Sequence, residues 1–149
     1  MTGQNDKTVQ ESLGKLLKRS EQTLLRAKSS ALTETGLTLP QYVALAELDQ
    51  HPGITAAELA RACLVSPQAM MVALKGMQEQ GLVERHPHPR HRTVLEIHLT
   101  AVGREALQTG RDLVEPIERR IADTMTPTET ATLRGLLTRC IDALDAPDA

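Results

Sequence analysis

Phenylalanine and tryptophan are absent from this sequence, and Tyr42 is its only tyrosine. A site built from stacked rings is therefore excluded, whether an aromatic cage for a quaternary cation or the platforms on which single-stranded nucleic acid lays its bases. Cysteine is almost as scarce. Cys63 and Cys140 lie far apart, and the opening MTGQNDKTVQ lacks the apolar core of a secretory signal. A cytoplasmic chain with reduced thiols is expected, each cysteine serving as a small buried apolar residue rather than a redox switch. No stretch approaches the roughly 20 apolar residues of a membrane helix, so no membrane partner is expected. Neither a Ser/His/Asp ordering, nor paired carboxylates, nor a glycine-rich phosphate loop stands in the context catalysis requires, so neither an enzyme nor a cofactor is expected.

The 149 residues suit a single domain with a real core. Charge is spread unevenly, which matters more than the net −2. Residues 61 to 92 carry five Lys/Arg against two Asp/Glu, whereas residues 93 to 149 carry six against ten. The basic surplus is sharpest in RHPHPRHR, residues 85 to 92, with three arginines, three histidines and no acid. A local contact with a polyanion fits that asymmetry better than a uniformly sticky surface.

Hydrophobic period and punctuation give the order of elements. Val9, Leu13, Leu16, Leu17, Leu24, Ala27 and Ala31 recur at helical spacing in a first amphipathic helix. A second helix has Pro40 in its first turn, apolar Val43, Leu45, Ala46 and Leu48, and a stop at His51-Pro52-Gly53. Thr55 and Glu58 form a capping box for a short third helix, and Ser66-Pro67 opens a fourth that Gly81 closes. Two helices joined by a few residues around Leu64-Val65 have the sequence shape of a helix-turn-helix. The period then falls to two: LVERH and TVLEIHLT are strands of a hairpin, with Leu95, Ile97 and Leu99 on one side and Glu96 and His98 on the other. Thr100 caps a long helix that Pro116 should kink or divide, and Thr126-Pro127-Thr128-Glu129 opens a last one. The expected fold is mainly α with a small β-hairpin, a winged helix-turn-helix at about 37–100. The helices at about 7–34 and 101–146 flank it within one domain spanning 1–149. Their stripes (Leu13, Leu16, Leu17, Leu24; Leu133, Leu137, Ile141, Leu144) must be buried, and a second copy is the natural cover.

On the fourth helix Met70, Ala73, Leu74 and Met77 share one face, opposite Gln68, Val72, Lys75 and Glu79 with Met71 on the flank. The second set suits a major groove: glutamine pairs with adenine, lysine with guanine or phosphate, and apolar groups with the thymine methyl. Arg90 and Arg92 on the wing would reach phosphates or a narrow minor groove, with His88 and His91 beside them and Pro87 and Pro89 stiffening the loop. Thr55 and Ser66 stand at helix N-termini, where backbone N–H groups meet phosphate. His86, His88 and His91 have a spacing that could invite a metal. With no carboxylate or thiol nearby in sequence, however, the expectation is no metal and simply more positive charge at mildly acidic pH.

The pieces LTLPQYVALAEL, ITAAELARAC-LVSPQAM, GLVERHPHPRHRTVLEIHLT and LTAVGREAL, together covering roughly residues 37 to 107, resemble the multiple-antibiotic-resistance-regulator (MarR) family of winged-helix transcription factors. The resemblance implies a homodimer on a pseudo-palindromic double-stranded operator. It also implies a repressor released by a small-molecule effector between the dimer helices and the winged helix, a cavity that Tyr42 would line. Two positions depart from the family pattern: His91 stands where wings usually carry Asp, and Met71-Val72 where recognition helices often carry Thr-Arg. The competing expectation is a dimerisation module whose wing binds a protein or an anionic ligand instead of an operator.

Overall fold

Every α-helix among the described residues opens on a serine or threonine whose side chain accepts an N–H of the first turn: Ser12, Thr38, Thr55, Ser66, Thr100 and Thr126. These caps fix where each helix starts, because the first amides have no partner within the helix. The computed structural model describes residues 11–146; Val9 and the start of the expected first helix lie outside that range. In chain order it comprises α1 (Leu13–Leu32), a 3₁₀ turn (Thr33–Thr35), α2 (Leu39–Gln50), α3 (Ala56–Ala62) and α4 (Pro67–Glu79). Then come β1 (Val83–Pro87), β2 (Leu95–Leu99), α5 (Ala101–Ala122) and α6 (Pro127–Asp145). Reciprocal capping boxes close at Thr38/Gln41, Thr55/Glu58 and Thr126/Glu129.

The core belongs to the middle of the chain. Leu45, Leu48, Leu59, Met70, Leu74, Met77, Ile97 and Leu107 are all but sealed from solvent and form one continuous cluster. Each side chain of this size contributes roughly 1.5–3 kcal/mol when buried. The hairpin is antiparallel with Val83 opposite Leu99 and Arg85 opposite Ile97. Gly53 N–H donates to Ile97 O (3.1 Å) and Ile97 N–H to Ile54 O (3.0 Å), so the turn after α2 braces the outer edge of β2. Leu95, expected inward with Ile97 and Leu99, is exposed instead, because the ribbon has run past the body of the domain by that point.

Thr100 locks the wing to α5. Its N–H donates to Leu82 O, its hydroxyl to Gly81 O, and its oxygen caps Gly103 N–H. A Cβ at Gly103 would lie 2.0 Å from Leu82 O, so only glycine permits this approach. Pro116 does not divide α5, which continues to Ala122. One missing N–H at an exposed position leaves the turns on either side bonded, and water can serve the freed carbonyl.

The flanking helices contrast with this core. Among described residues α1 buries only Leu32 and α6 buries none. Leu13, Leu16, Leu17, Leu133, Leu136, Leu137, Ile141 and Leu144 are all exposed on the single chain. Cys140, expected to be buried among its apolar neighbours, is exposed with them, while Cys63 at the end of α3 is half-buried.

Candidate nucleic-acid interface

The helix-turn-helix is α3, the turn Cys63–Ser66 and α4. Val65 N–H donates to Ala60 O (3.1 Å) and closes the turn, while Leu64 adopts φ 56°, a left-handed conformation that non-glycine residues rarely take. Its side chain is 92% exposed, so no burial offsets the strain. On α4 the core face is as the spacing predicts: Met70, Leu74 and Met77 are buried. Gln68, Met71, Val72 and Lys75 are all exposed, Val72 to 75%. An apolar side chain held in water on a helix flanked by polar partners is a feature a groove contact would explain.

Around the wing tip the chain is turned by its own bonds. His88 N–H donates to Val94 O (2.8 Å), Val94 N–H to His91 O (2.8 Å) and His91 N–H to His88 O (3.2 Å). Arg90 N–H donates to His88 Nδ1 (3.1 Å), and the His88 and His91 rings stack at 5.3 Å. Arg90, His91 and Arg92 are exposed. Among the described residues neither arginine, nor Lys75, has a carboxylate within ion-pairing distance, so their charge is not neutralised within the chain.

Two candidates sit differently from the expectation. Thr55 gives both its N–H and its hydroxyl to Glu58 Oε2 (2.9 Å each), so this helix end already holds an anion and has little left for phosphate. That bond also holds the Glu58 carboxyl below the usual carboxylate range. Ser66 is free of such competition: its oxygen accepts Ala69 N–H (3.1 Å), and no acid stands in the first turn of α4. His88 is half-buried, with Nδ1 taken by Arg90 N–H and Nε2 3.6 Å from Glu96 Oε1, so both ring nitrogens are engaged in shaping the tip.

Carboxylates also lie beside the wing histidines, contrary to the linear reading. The outer face of the ribbon alternates Glu84, His86, Glu96 and His98. His86 Nε2 lies 3.1 Å from Glu84 Oε1, and His98 Nε2 lies 3.1 Å from Glu96 Oε2. Each of these pairs joins residues two apart on one strand, whereas His88 reaches Glu96 (3.6 Å) from the opposite strand, a contact that a single sequence does not print. Even so, no group of three such donors among the described residues is arranged to hold a metal ion.

Sequence reasoning missed Arg85. It stands opposite the buried Ile97, on the side of the ribbon that turns toward the core, with its Nε shut off from water and without a hydrogen-bond partner. Its half-buried position was hidden because the strand LVERH runs straight into the basic residues of the tip, and nothing in the sequence set Arg85 apart from them.

Two cavities are present among the described residues, only the first of them lined by the helix-turn-helix. One, of about 750 Å³, lies between α1, α2 and the helix-turn-helix, and Val72 lies both on its wall and on the exposed face of α4. The other, about 880 Å³, is an apolar groove of α1, α5 and α6 lined by Leu16, Leu17, Leu24, Ile117, Leu133 and Leu137. Tyr42 lines neither of these two. Its ring packs on Gly110, where an added Cβ would come within 2.7 Å, and burial pushes its phenol pKa up.

Residues 35–92 match a sequence model of the MarR family. An HTH-type transcriptional repressor of Mycobacterium tuberculosis, Rv2887, is 35% identical over 125 residues, 84% of this chain and 90% of that protein. The crystal structure of Rv2887 in complex with p-aminosalicylic acid superposes with a TM-score of 0.69 at 34% identity, covering 87% of this chain and 98% of that one. A mutant MarR from E. coli complexed with operator DNA superposes with a TM-score of 0.78 at 26% identity, covering 86% and 92%.

Proposed function

The chain belongs to the MarR family, and from that premise we propose that it is a homodimeric DNA-binding repressor whose wing and α4 engage one half-site of a pseudo-palindromic operator. The observation that carries this reading is the pairing of an exposed Gln68–Met71–Val72–Lys75 face with un-neutralised Arg90 and Arg92 on the adjoining wing. Gln68, Met71 and Val72 read base edges; Lys75, Arg90, Arg92 and His91 hold phosphate or groove edges; and Ser66 presents the start of α4. Arg85 joins this set as the half-buried cation on β1, at the root of the wing. The exposed stripes of α1 and α6 pair two copies, as obligate interfaces of large apolar area do. Its place of work is the cytoplasm, with the chromosome.

An effector releases the operator by entering the cavity between α1, α2 and the helix-turn-helix. One wall of that cavity is Ala69, Met70, Val72 and Ala73 of α4, so an occupant bears directly on the reading helix. Tyr42, packed between α2 and α5, supports that cavity from outside rather than lining it.

Fluorescence anisotropy on a duplex drawn from the DNA upstream of the coding region tests the reading. Affinity should fall steeply with salt, and Arg92→Ala should shrink the log–log slope by about one per contact. Gln68→Ala should relax preference at particular bases while leaving the slope alone. An unchanged affinity and slope for Arg92→Ala would remove the wing from the interface.

A further inference from the structure

Resting on the reading of an effector-released repressor, we propose that the cavity between α1, α2 and the helix-turn-helix takes a lipophilic amine, an apolar body carrying one ammonium. About 750 Å³ is room for one such molecule. Its walls are aliphatic, with Leu25, Val43, Val65, Met70 and Ala73 among them. No lysine, arginine or histidine lines it, and no aromatic ring either.

The polar groups on the wall are few. Thr38 and Gln41 spend their acceptors on each other: Gln41 Oε1 takes Thr38 N–H (3.1 Å) and Thr38 Oγ1 takes Gln41 N–H (3.3 Å). Burial pushes the Cys63 thiol up to about 11, so it stays neutral. That leaves Glu21 of α1 as the one ionised group on the lining, exposed at the rim and without a cation in ion-pairing distance among the described residues. A carboxylate ligand would enter with no base to meet it and a like charge at the mouth. An ammonium finds the opposite: its apolar part removes the aliphatic wall from water, and its charge stays at the wet rim beside Glu21.

Three phenols that share a ring and hydroxyl isolate the charge: 2-hydroxybenzylamine, 2-hydroxybenzyl alcohol and salicylate, titrated into the full-length protein by calorimetry. The amine should bind roughly fivefold tighter than the alcohol, the size expected of a rim ion pair, with salicylate weakest. Glu21→Gln should bring the amine down to the alcohol, and Ala69→Leu should abolish binding of both while circular dichroism stays unchanged. Because a relative is known in complex with p-aminosalicylic acid, salicylate is the sharpest competitor. Salicylate binding as tightly as the amine, amine binding indifferent to both substitutions, or no binding by any of the three would overturn the inference. Duplex binding is measured on the same samples. If it persists when the amine fails, only the ligand class is wrong; if it is missing throughout, the repressor reading fails with it.

Discussion

The middle of the chain and its two flanks solve the same problem in different ways. From α2 to β2 the apolar residues meet one another, and Leu45, Leu59, Leu74 and Ile97 are sealed within a single subunit. The stripes of α1 and α6 are just as regular, yet α6 buries nothing within the chain. A periodic stripe therefore says that a face needs cover; it does not say whose atoms supply it. The winged helix has its own core, and the flanks wait for a second copy.

The largest effects should separate these halves. Leu74→Ala is expected to cost about 3 kcal/mol, seen as a lower denaturation midpoint at every protein concentration. Leu133→Lys with Leu137→Lys should instead weaken self-association by about a hundredfold or more in sedimentation, with stability becoming strongly concentration-dependent. Should the α6 pair act like a core substitution, unfolding the chain equally at all concentrations, the contrast collapses.

Next comes the seam between the halves. Gly103→Ala drives a Cβ against Leu82 O, and backbone cannot yield as a side-chain tip can. A loss of about 2–3 kcal/mol is expected by chemical denaturation, accompanied by weaker duplex binding because the root of the wing moves.

A smaller effect of opposite sign is expected at Leu64. Leu64→Gly relieves a left-handed leucine that buries nothing, and should raise stability by up to about 1 kcal/mol in the same assay. No gain would mean the turn is not strained as its φ implies.

The smallest effect is shared by both halves. Glu58 and Glu129 are each held below the ordinary carboxylate range, first by a backbone N–H and then by a hydroxyl, of Thr55 and Thr126 respectively. A lowered folded-state pKa stabilises above the unfolded value and loses that contribution as pH falls through the folded one. Stability should thus begin to decline below about pH 4.5, and Glu58→Gln should flatten part of that decline in acid titrations followed by circular dichroism.

Much of this was legible because it is local. Thr55 with Glu58, Thr126 with Glu129, Ser66 with Pro67, and the split of Met70, Leu74 and Met77 from Gln68, Lys75 and Val72 are all set within one or two turns. What escaped depends on distant partners. Arg85 acquires its place from Ile97, and His88 acquires Glu96 from the opposite strand. Cys140 looked buried because its neighbours are apolar, although their cover lies outside the chain. Pro116 was weighed as a breaker, but a helix this long tolerates one lost bond on its wet side.

The scarcity of rings has a practical side. Tyr42 is the lone phenol, and it is wedged where α2 crosses α5 at Gly110, between the reading half and the pairing half. The molecule thus carries one intrinsic ultraviolet emitter, with no tryptophan to outshine it, at the joint that any hinge between those halves must use. Its emission is a background-free gauge of that hinge, available without labels.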